Sequence, residues 1–305
     1  FNTSSSSNGQ DTQYRASGRC EVNVVCDKDI IDTKKSVCRL IVGGTHLGTG
    51  QLINTTSEDL QPYIITAAHV FDTNSNYAVN VLFGFETDLC TNFEHPSKEK
   101  VDLCYKDELL CYLPSYDIAV FTLNKLPKVE VDPYWAGWDI RNDIVSNETY
   151  KCIHHPWGDV KKVSVSTDIG YGDYSGMDSP PAGGSFEKNV HYKVNLWDQG
   201  TTEGGSSGSA LWNKDHKIIG ILSGGKANCK TPQNDYFSSL AKAWDVKAKG
   251  YYSLKELLDP DNTGTLVMTG RHINSTESSV TTVVGDSGYD IARHCGSVTI
   301  TADSI

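Results

Sequence analysis

Short apolar runs, each closed by a cluster of small or polar residues, follow one another through most of this 305-residue chain. They begin at residues 22–25, 39–42, 51–54 and 63–66, and the breaks between them are rich in Gly, Asn and Ser. The pattern continues at residues 79–85, 118–123, 151–154, 161–167, 190–196, 210–212 and 218–222. Closely spaced short strands with such punctuation are typical of β-barrels and sandwiches, so the sequence predicts an all-β fold.

The N-terminal segment and a late helical segment differ from this pattern. Residues 1–19 are polar and without period, which indicates a flexible arm. Helical spacing of apolar residues predicts a late helical segment over residues 238–247 and 254–258, and Pro260 ends it because proline cannot continue a helix. Strand-like runs then return in residues 265–305, as a C-terminal extension or the start of an appended β module.

Charge and cysteine content exclude several classes of protein. A formal net charge of −11 argues against a nucleic-acid partner, which would favour a basic face. No apolar run reaches 18 residues, so no transmembrane segment is expected. The nine cysteines form neither a CxxC pair nor a zinc spacing, so we expect no metal and no cofactor. So many cysteines indicate disulfides and an oxidising compartment.

A glycine-flanked serine cluster occupies residues 205–209, with the sequence Gly-Ser-Ser-Gly-Ser. Glycine adopts the backbone angles that a tight turn demands, and it lets backbone N–H groups approach a ligand closely. A hydrolase that presents a hydroxyl nucleophile needs such a turn, with an oxyanion hole beside it. A Gly/Ser-rich surface loop has the same composition, so the cluster alone leaves both readings open.

Two further residues favour the catalytic reading. His69 ends an apolar run after two alanines, and Asp117 leads directly into another apolar run. Each alone is compatible with a structural role. Together with Ser207 they follow the order His, Asp, Ser, which is the chain order of the chymotrypsin arrangement.

With these residues the sequence resembles the trypsin-like serine proteases, and most closely the bacterial lysyl endopeptidases of the Achromobacter and Lysobacter type. Thr-Ala-Ala-His, Asp-Ile-Ala-Val and the serine cluster match the superfamily signatures. Trp-Ala-Gly-Trp-Asp at residues 135–139 and Ile-His-His-Pro at 153–156 are similar to segments of the lysyl branch. The resemblance implies two packed six-stranded antiparallel β-barrels over residues 20–264, with the active site between them.

The resemblance also implies the roles of individual residues. Ser207 would attack the scissile carbonyl, His69 would move its proton, and Asp117 would orient His69. The backbone N–H groups of Gly205 and Ser207 would hold the oxyanion. His154 and His155 lack a companion serine or carboxylate motif, so we assign them a structural role.

Substrate recognition rests on Asp235, which lies in a segment similar to the one that carries the family's primary-pocket aspartate. A buried carboxylate there predicts cleavage of proteins or peptides after Lys, with Arg accepted. Ser223, Gly224 and Gly225 would form the edge strand that pairs with substrate. The alternatives are a glutamyl-type or other endopeptidase, with Asp235 outside the pocket, and an inactive trypsin-fold binding protein.

Departures from the family are informative. Ser223 replaces a family histidine, and a serine there can hydrogen-bond Asp117, as in trypsin. Whether the protein prefers lysine to arginine is therefore left open. Gly48 and Val70 replace a family disulfide. Ser206 replaces the aspartate that in trypsin binds a freed N-terminus, so activation by N-terminal insertion is not expected.

The remaining cysteines are assigned by resemblance or by proximity. The resemblance implies the disulfides Cys20–Cys229 and Cys26–Cys90, and closeness in sequence suggests a third between Cys104 and Cys111. Three further cysteines stay unassigned: Cys38, Cys152 and Cys295. Residues 17–20 resemble the start of mature family members, which makes Arg15-Ala16 a candidate processing bond and the N-terminal segment a propeptide remnant as an alternative to a flexible arm. We therefore expect a secreted, cell-surface or periplasmic bacterial protein, whose oligomeric state the sequence leaves open.

Overall fold

The computed structural model describes residues 17–71, 77–91, 100–174 and 185–273, and it is built mainly from strands. In chain order the strands are β1 (Val22–Asn23), β2 (Val37–Val42), β3 (His46–Leu52), β4 (Tyr63–Thr66), β5 (Val79–Phe83), β6 (Asp102–Leu113), β7 (Ile118–Leu123), β8 (Tyr134–Trp135), β9 (Trp138–Asp139), β10 (Tyr150–His154), β11 (Lys162–Ser166), β12 (Asp168–Gly172), β13 (His191–Leu196), β14 (Ala210–Trp212), β15 (Ile218–Gly225), β16 (Asp235–Ser239), β17 (Val267–Met268) and β18 (Arg271–His272). Two short helices follow β16, α1 (Leu240–Ala243) and α2 (Leu254–Leu258).

The first half of the chain forms a closed six-stranded barrel in the order β2-β3-β4-β7-β6-β5. All its strand pairs are antiparallel. In β5, Val79, Val81 and Phe83 are buried while the residues between them are half-buried. This alternation follows from the pleat of a strand, which points successive side chains to opposite faces. The predicted first barrel is therefore confirmed.

The second half of the chain, together with β1 from the N-terminal part, forms a ten-stranded sheet with the path β1-β11-β10-β14-β15-β16-β13-β12, joined by β9 and β17. Its pairs are antiparallel except for β9 with β15. The all-β, chymotrypsin-like prediction holds, but this half carries more than the six strands expected. Three of the four additional strands, β1, β9 and β17, are two-residue pieces. Pieces as short as β9 and β17 show no period in the sequence.

The segment between the two halves is pinned by its tryptophans. Trp135 and Trp138 are fully buried, and their indole N–H groups donate to the carbonyls of Gln61 (2.8 Å) and Asn54 (2.9 Å). Both acceptors belong to the connection between β3 and β4. One hydrophobic cluster accordingly runs from the first barrel into the second sheet.

The predicted helical segment is present, but its first part is shorter than expected: α1 covers Leu240–Ala243, whereas the sequence predicts a helix over residues 238–247. Leu254–Leu258 is confirmed as α2, which begins with a capping box formed by Ser253 and Glu256. After it, β17 pairs with β9 and β18 pairs with β8. The boundary at residue 264 stays a prediction, and residues 1–16 and 274–305 lie outside the described part of the chain. Within the described part, no helix is both long enough and apolar enough to span a membrane.

Two of the three predicted disulfides are formed, Cys20–Cys229 and Cys26–Cys90. The third was wrong, because Cys104 and Cys111 are both free, buried thiols. They lie on the same strand, β6, where seven residues at about 3.3 Å each hold the two positions roughly 20 Å apart. A disulfide needs Cα atoms within about 7 Å.

Candidate active site

A buried carboxylate holds His69 by two hydrogen bonds, one to its imidazole and one to its backbone N–H. Asp117 is fully buried, and its Oδ1 accepts the backbone N–H of His69 at 2.8 Å while Oδ2 lies 2.8 Å from His69 Nδ1. Asp117 adopts the left-handed conformation at φ 52°, which aspartate tolerates better than most residues, immediately before β7. His69 Nε2 is buried and makes no hydrogen bond to the described residues.

The serine cluster forms the turn that its glycines predict. Gly205 and Gly208 have φ of +90° and +83°, a region that favours glycine. A Cβ at Gly208 would lie 2.0 Å from Thr66 Oγ1, and one at Gly205 would lie 2.8 Å from the His155 carbonyl. Ser207 stands between them, half-buried. The two glycines are therefore required by both conformation and space.

The carbonyls of this turn fix the direction of its N–H groups. The Gly204 carbonyl accepts the N–H of Trp157, and the Ser206 carbonyl accepts that of Ser209 at 3.0 Å. Across a trans peptide the N–H points opposite to the carbonyl. The N–H groups of Gly205 and Ser207 are therefore turned away from these partners, on the other side of the loop.

The first barrel holds the serine loop in place. The N–H of Thr49 in β3 donates to the Ser207 carbonyl at 2.8 Å, and its hydroxyl donates to the Gly205 carbonyl at 2.9 Å. The Gln51 side-chain amide donates to the carbonyls of both Ile65 (3.0 Å) and Gly208 (2.8 Å). Gln51 thus ties β4, the strand that leads to His69, to the loop that carries Ser207.

Two departures from the family are visible around His69. The expected hydrogen bond from Ser223 to Asp117 is not formed: Ser223 Oγ is buried and has no partner among the described residues. The hydrogen bonds of Asp117 are with the backbone N–H and the Nδ1 of His69. A Cβ at Gly48 would lie 2.8 Å from a Val70 methyl, so the two positions that replace the family disulfide are in contact.

Asp235 is a second buried carboxylate, 1% exposed, at the start of β16. Its Oδ2 accepts the Trp197 indole N–H and the Thr202 hydroxyl, both at 2.7 Å, and Oδ1 accepts the Ala227 N–H at 3.4 Å. Burial raises the pKa of Asp235 to about 6, although these three donors oppose the rise. No cation pairs with it among the described residues.

The predicted substrate strand lies next to this carboxylate. Asp235 pairs with Gly225, and a Cβ at Gly225 would lie only 2.1 Å from Asp235 Oδ1. On its other side, β15 pairs with β14 only as far as Ile221. Residues 223–225 therefore have a side without a strand partner in the described structure.

Two residues near the site, Trp197 and His191, are not marked by any motif in the sequence. Trp197 follows β13 without any family motif, yet it donates to Asp235. His191 begins β13, is 1% exposed, and packs edge-on against Tyr174, Phe186 and Tyr236. Burial lowers the pKa of His191 to about 4, and so it stays neutral at physiological pH. In the described ranges no three His, Cys, Asp or Glu side chains group as metal ligands.

Comparison with known proteins agrees with this geometry. Residues 14–238 match the family model "Lysyl endopeptidase, C-terminal domain". A lysyl endopeptidase from Pseudomonas aeruginosa PAO1 is 24% identical over 247 residues, which cover 75% of this chain and 50% of the relative. The chain thus spans about half the length of that curated relative. Among solved structures, a serine-to-alanine variant of the HtrA-type protease AlgW, solved with a tripeptide, superposes with a TM-score of 0.51 at 14% identity, covering 77% of this chain and 63% of that one.

A closed six-stranded barrel joined to a curled antiparallel sheet, with an Asp–His pair beside a glycine-flanked serine, places the chain in the chymotrypsin-like fold class. Within that class, the match over most of its length shows that the chain belongs to the lysyl endopeptidase C-terminal domain family.

Proposed function

We propose that this chain hydrolyses peptide bonds on the carboxyl side of lysine, with arginine accepted, through an acyl-enzyme formed on Ser207. The supporting observation is the buried Asp117, which holds His69 by two 2.8 Å hydrogen bonds beside the Ser207 turn. A surface loop of similar composition would not require a buried carboxylate at φ 52° to orient a histidine in a distant segment of the chain.

In the proposed first step, His69 Nε2 takes the hydroxyl proton of Ser207 while Oγ forms a bond to the scissile carbonyl carbon. Asp117 Oδ2 accepts the Nδ1–H, so the ring is held as the tautomer whose Nε2 is the base. The resulting imidazolium is stabilised by the adjacent carboxylate. When the tetrahedral intermediate collapses, His69 gives the proton to the leaving amine and the acyl group stays on Ser207.

Deacylation repeats these proton transfers with water. His69 takes a proton from the attacking water and returns it to Ser207 Oγ as the peptide acid leaves. In both steps the negative oxygen would be held by the N–H groups of Gly205 and Ser207. Loss of one such donor typically costs about 2.7–4 kcal/mol of transition-state stabilisation.

Lysine preference is proposed from Asp235. Its buried carboxylate lies beside residues 223–225, which have no strand partner on one side among the described residues. A substrate strand would pair there. A substrate ammonium would compensate a charge that burial otherwise disfavours, whereas a substrate glutamate would add a like charge. We also propose that the protein works outside the cytoplasm, since two disulfides stabilise its described structure.

Labelling with a serine-reactive fluorophosphonate tests the nucleophile. Wild type should react, Ser207→Ala should not, and Ser209→Ala is the matched control, because Ser209 belongs to the same turn but bonds Cys152. A folded wild-type protein that does not react would refute the proposal and favour an inactive binding protein.

Digestion of a peptide library tests the specificity. We expect cleavage after Lys, and after Arg to a lesser or equal extent, with wild type but not with Ser207→Ala. Cleavage mainly after Glu or apolar residues would contradict the assignment of Asp235 and favour an endopeptidase of another specificity.

A further inference from the structure

A hydrogen-bonded histidine lies behind the serine loop, outside the proposed triad. His154 ends β10 and is fully buried. Its Nδ1 lies 2.7 Å from Ser206 Oγ, and its Nε2 lies 3.0 Å from Ser164 Oγ in β11. Both ring nitrogens are therefore engaged, one by the loop and one by the sheet.

The direction of each proton in this cluster follows from the partners. Ser164 Oγ donates its only proton to the Thr201 carbonyl at 2.6 Å, since a carbonyl can only accept. Ser164 must then accept from His154 Nε2–H. In a neutral ring with a proton on Nε2, Nδ1 is the acceptor, so it takes the hydroxyl proton of Ser206.

Burial favours this neutral form. The pKa of His154 is lowered to about 3, first by burial and then by the charge of Lys162. Glu21 also faces the ring, with Oε2 3.7 Å from Nε2. Burial, reinforced by the charge of Glu203, raises the pKa of Glu21 well above its usual range, which disfavours its charged form beside the ring.

Ser206 directly precedes the proposed nucleophile and is held by four hydrogen bonds. Three stay within the loop: its N–H donates to the Glu203 carbonyl, its carbonyl accepts from Ser209, and its hydroxyl accepts the Glu203 N–H. The fourth, to His154, ties the loop to β10, and through Ser164 to β11. This bond anchors the peptide that carries the Ser207 N–H.

We propose that His154 is a positioning residue for the reaction: as a neutral acceptor for the Ser206 hydroxyl, it fixes the Ser206–Ser207 peptide so that the Ser207 N–H faces the developing oxyanion. The inference rests on the proposed function, because the orientation of this N–H affects catalysis only if Ser207 is the nucleophile. It replaces the purely structural role that the sequence indicates for His154.

Kinetics of variants on both sides of the bond test this role. Ser206→Ala removes only the hydroxyl and leaves a residue that the loop can accommodate. We expect kcat to fall about 10- to 100-fold, below the 10²–10³ typical for complete loss of an oxyanion donor, with KM within about twofold. Affinity for a lysine peptide aldehyde, whose adduct oxygen occupies the oxyanion site, should fall by the same factor.

A double-mutant cycle shows whether the two residues act as one unit. His154→Leu should resemble Ser206→Ala, and the double variant should be no worse than either alone, because both remove the same bond. His154→Asn should recover most of the rate, since its side-chain oxygen can accept near the Nδ1 position. His155→Asn is the matched control: it changes a neighbouring buried histidine that bonds the Asp159 carbonyl instead, and kcat should stay near wild type.

The result that would overturn the inference is a Ser206→Ala enzyme with kcat within about twofold of wild type, or losses that multiply in the double variant. ¹⁵N NMR of the histidine rings gives a readout independent of turnover. A protonated Nε2 and an unprotonated Nδ1 on His154 at neutral pH are expected, and the opposite tautomer would contradict the proposal even if the wild type proved inactive. Failure of wild type to react with fluorophosphonate would instead refute the proposed function.

Discussion

Asp235→Asn should make the protein more stable at neutral pH and less active on lysine substrates. The folded-state pKa of about 6 lies above the ordinary value of 3.8, because burial disfavours the charged carboxylate. The folded protein therefore binds this proton more tightly than the unfolded chain, and stability falls as the pH rises from about 4 to about 6. A shift of about two units corresponds to about 3 kcal/mol at pH 7, which a neutral asparagine avoids.

The same substitution removes the charge that would bind a substrate ammonium. Truncating one partner of a buried charge pair costs about 2–5 kcal/mol, so a loss near 3 kcal/mol, or about 10²-fold in kcat/KM, is expected for a lysine substrate. A matched substrate with norleucine, which lacks the ammonium, should be cleaved equally by both proteins. In wild type, the preference for lysine over norleucine should decline as the pH falls below about 6.

Urea unfolding at pH 7 and pH 4 measures the stability difference, which should be near 3 kcal/mol at pH 7 and small at pH 4. Asp102→Asn is the control of opposite sign. Burial alone would raise the pKa of Asp102, but the Lys128 N–H and the Lys125 ammonium lower it further than burial raises it. That variant should be destabilised at neutral pH. An Asp235→Asn protein that is less stable than wild type at pH 7, or that keeps its lysine preference, would refute the reasoning.

Three further outcomes follow from the packing. Gly208→Ala should abolish measurable turnover and destabilise the fold by about 2–4 kcal/mol in thermal unfolding, because its Cβ would lie 2.0 Å from Thr66 Oγ1 at φ +83°; near-normal activity would contradict the loop geometry. Replacing Cys20 and Cys229 by serine should cost about 2–5 kcal/mol by urea unfolding, and an unchanged midpoint would show that the bridge is not formed in solution. Thiol labelling mapped by peptide mass spectrometry should find four cysteines silent in the folded protein and reactive in denaturant: Cys38, Cys104, Cys111 and Cys152. Rapid native labelling at any of these four positions would contradict their burial.

The features that could be predicted from the sequence are those that depend on neighbouring residues in the chain. The turn around Ser207 needs glycine on both sides, and His69 and Asp117 are placed by the ends of apolar strands, so each is marked by its immediate neighbours. Strand punctuation likewise predicted the closed barrel.

Contacts between distant segments could not be predicted in this way. Trp197 donates to Asp235 across 38 positions and His154 meets Ser206 across 52, with nothing in the flanking residues to mark either pair. The prediction of a Cys104–Cys111 disulfide was wrong for a related reason. Both residues lie on one extended strand, which keeps them apart in space although they are close in sequence. The hydrogen bond from Ser223 to Asp117 is also not formed, because Ser223 Oγ is buried without a partner among the described residues.

Thr49 belongs to the first barrel, yet it binds the carbonyls on both sides of the serine turn of the second half. The nucleophile turn thus lacks these two bonds until the halves have docked. A chain in which only one half has formed should therefore be inert, and the proposed activity should appear during refolding only after the halves have docked. A newly made chain would therefore cleave neither itself nor other copies until its own core is folded and resistant to proteolysis.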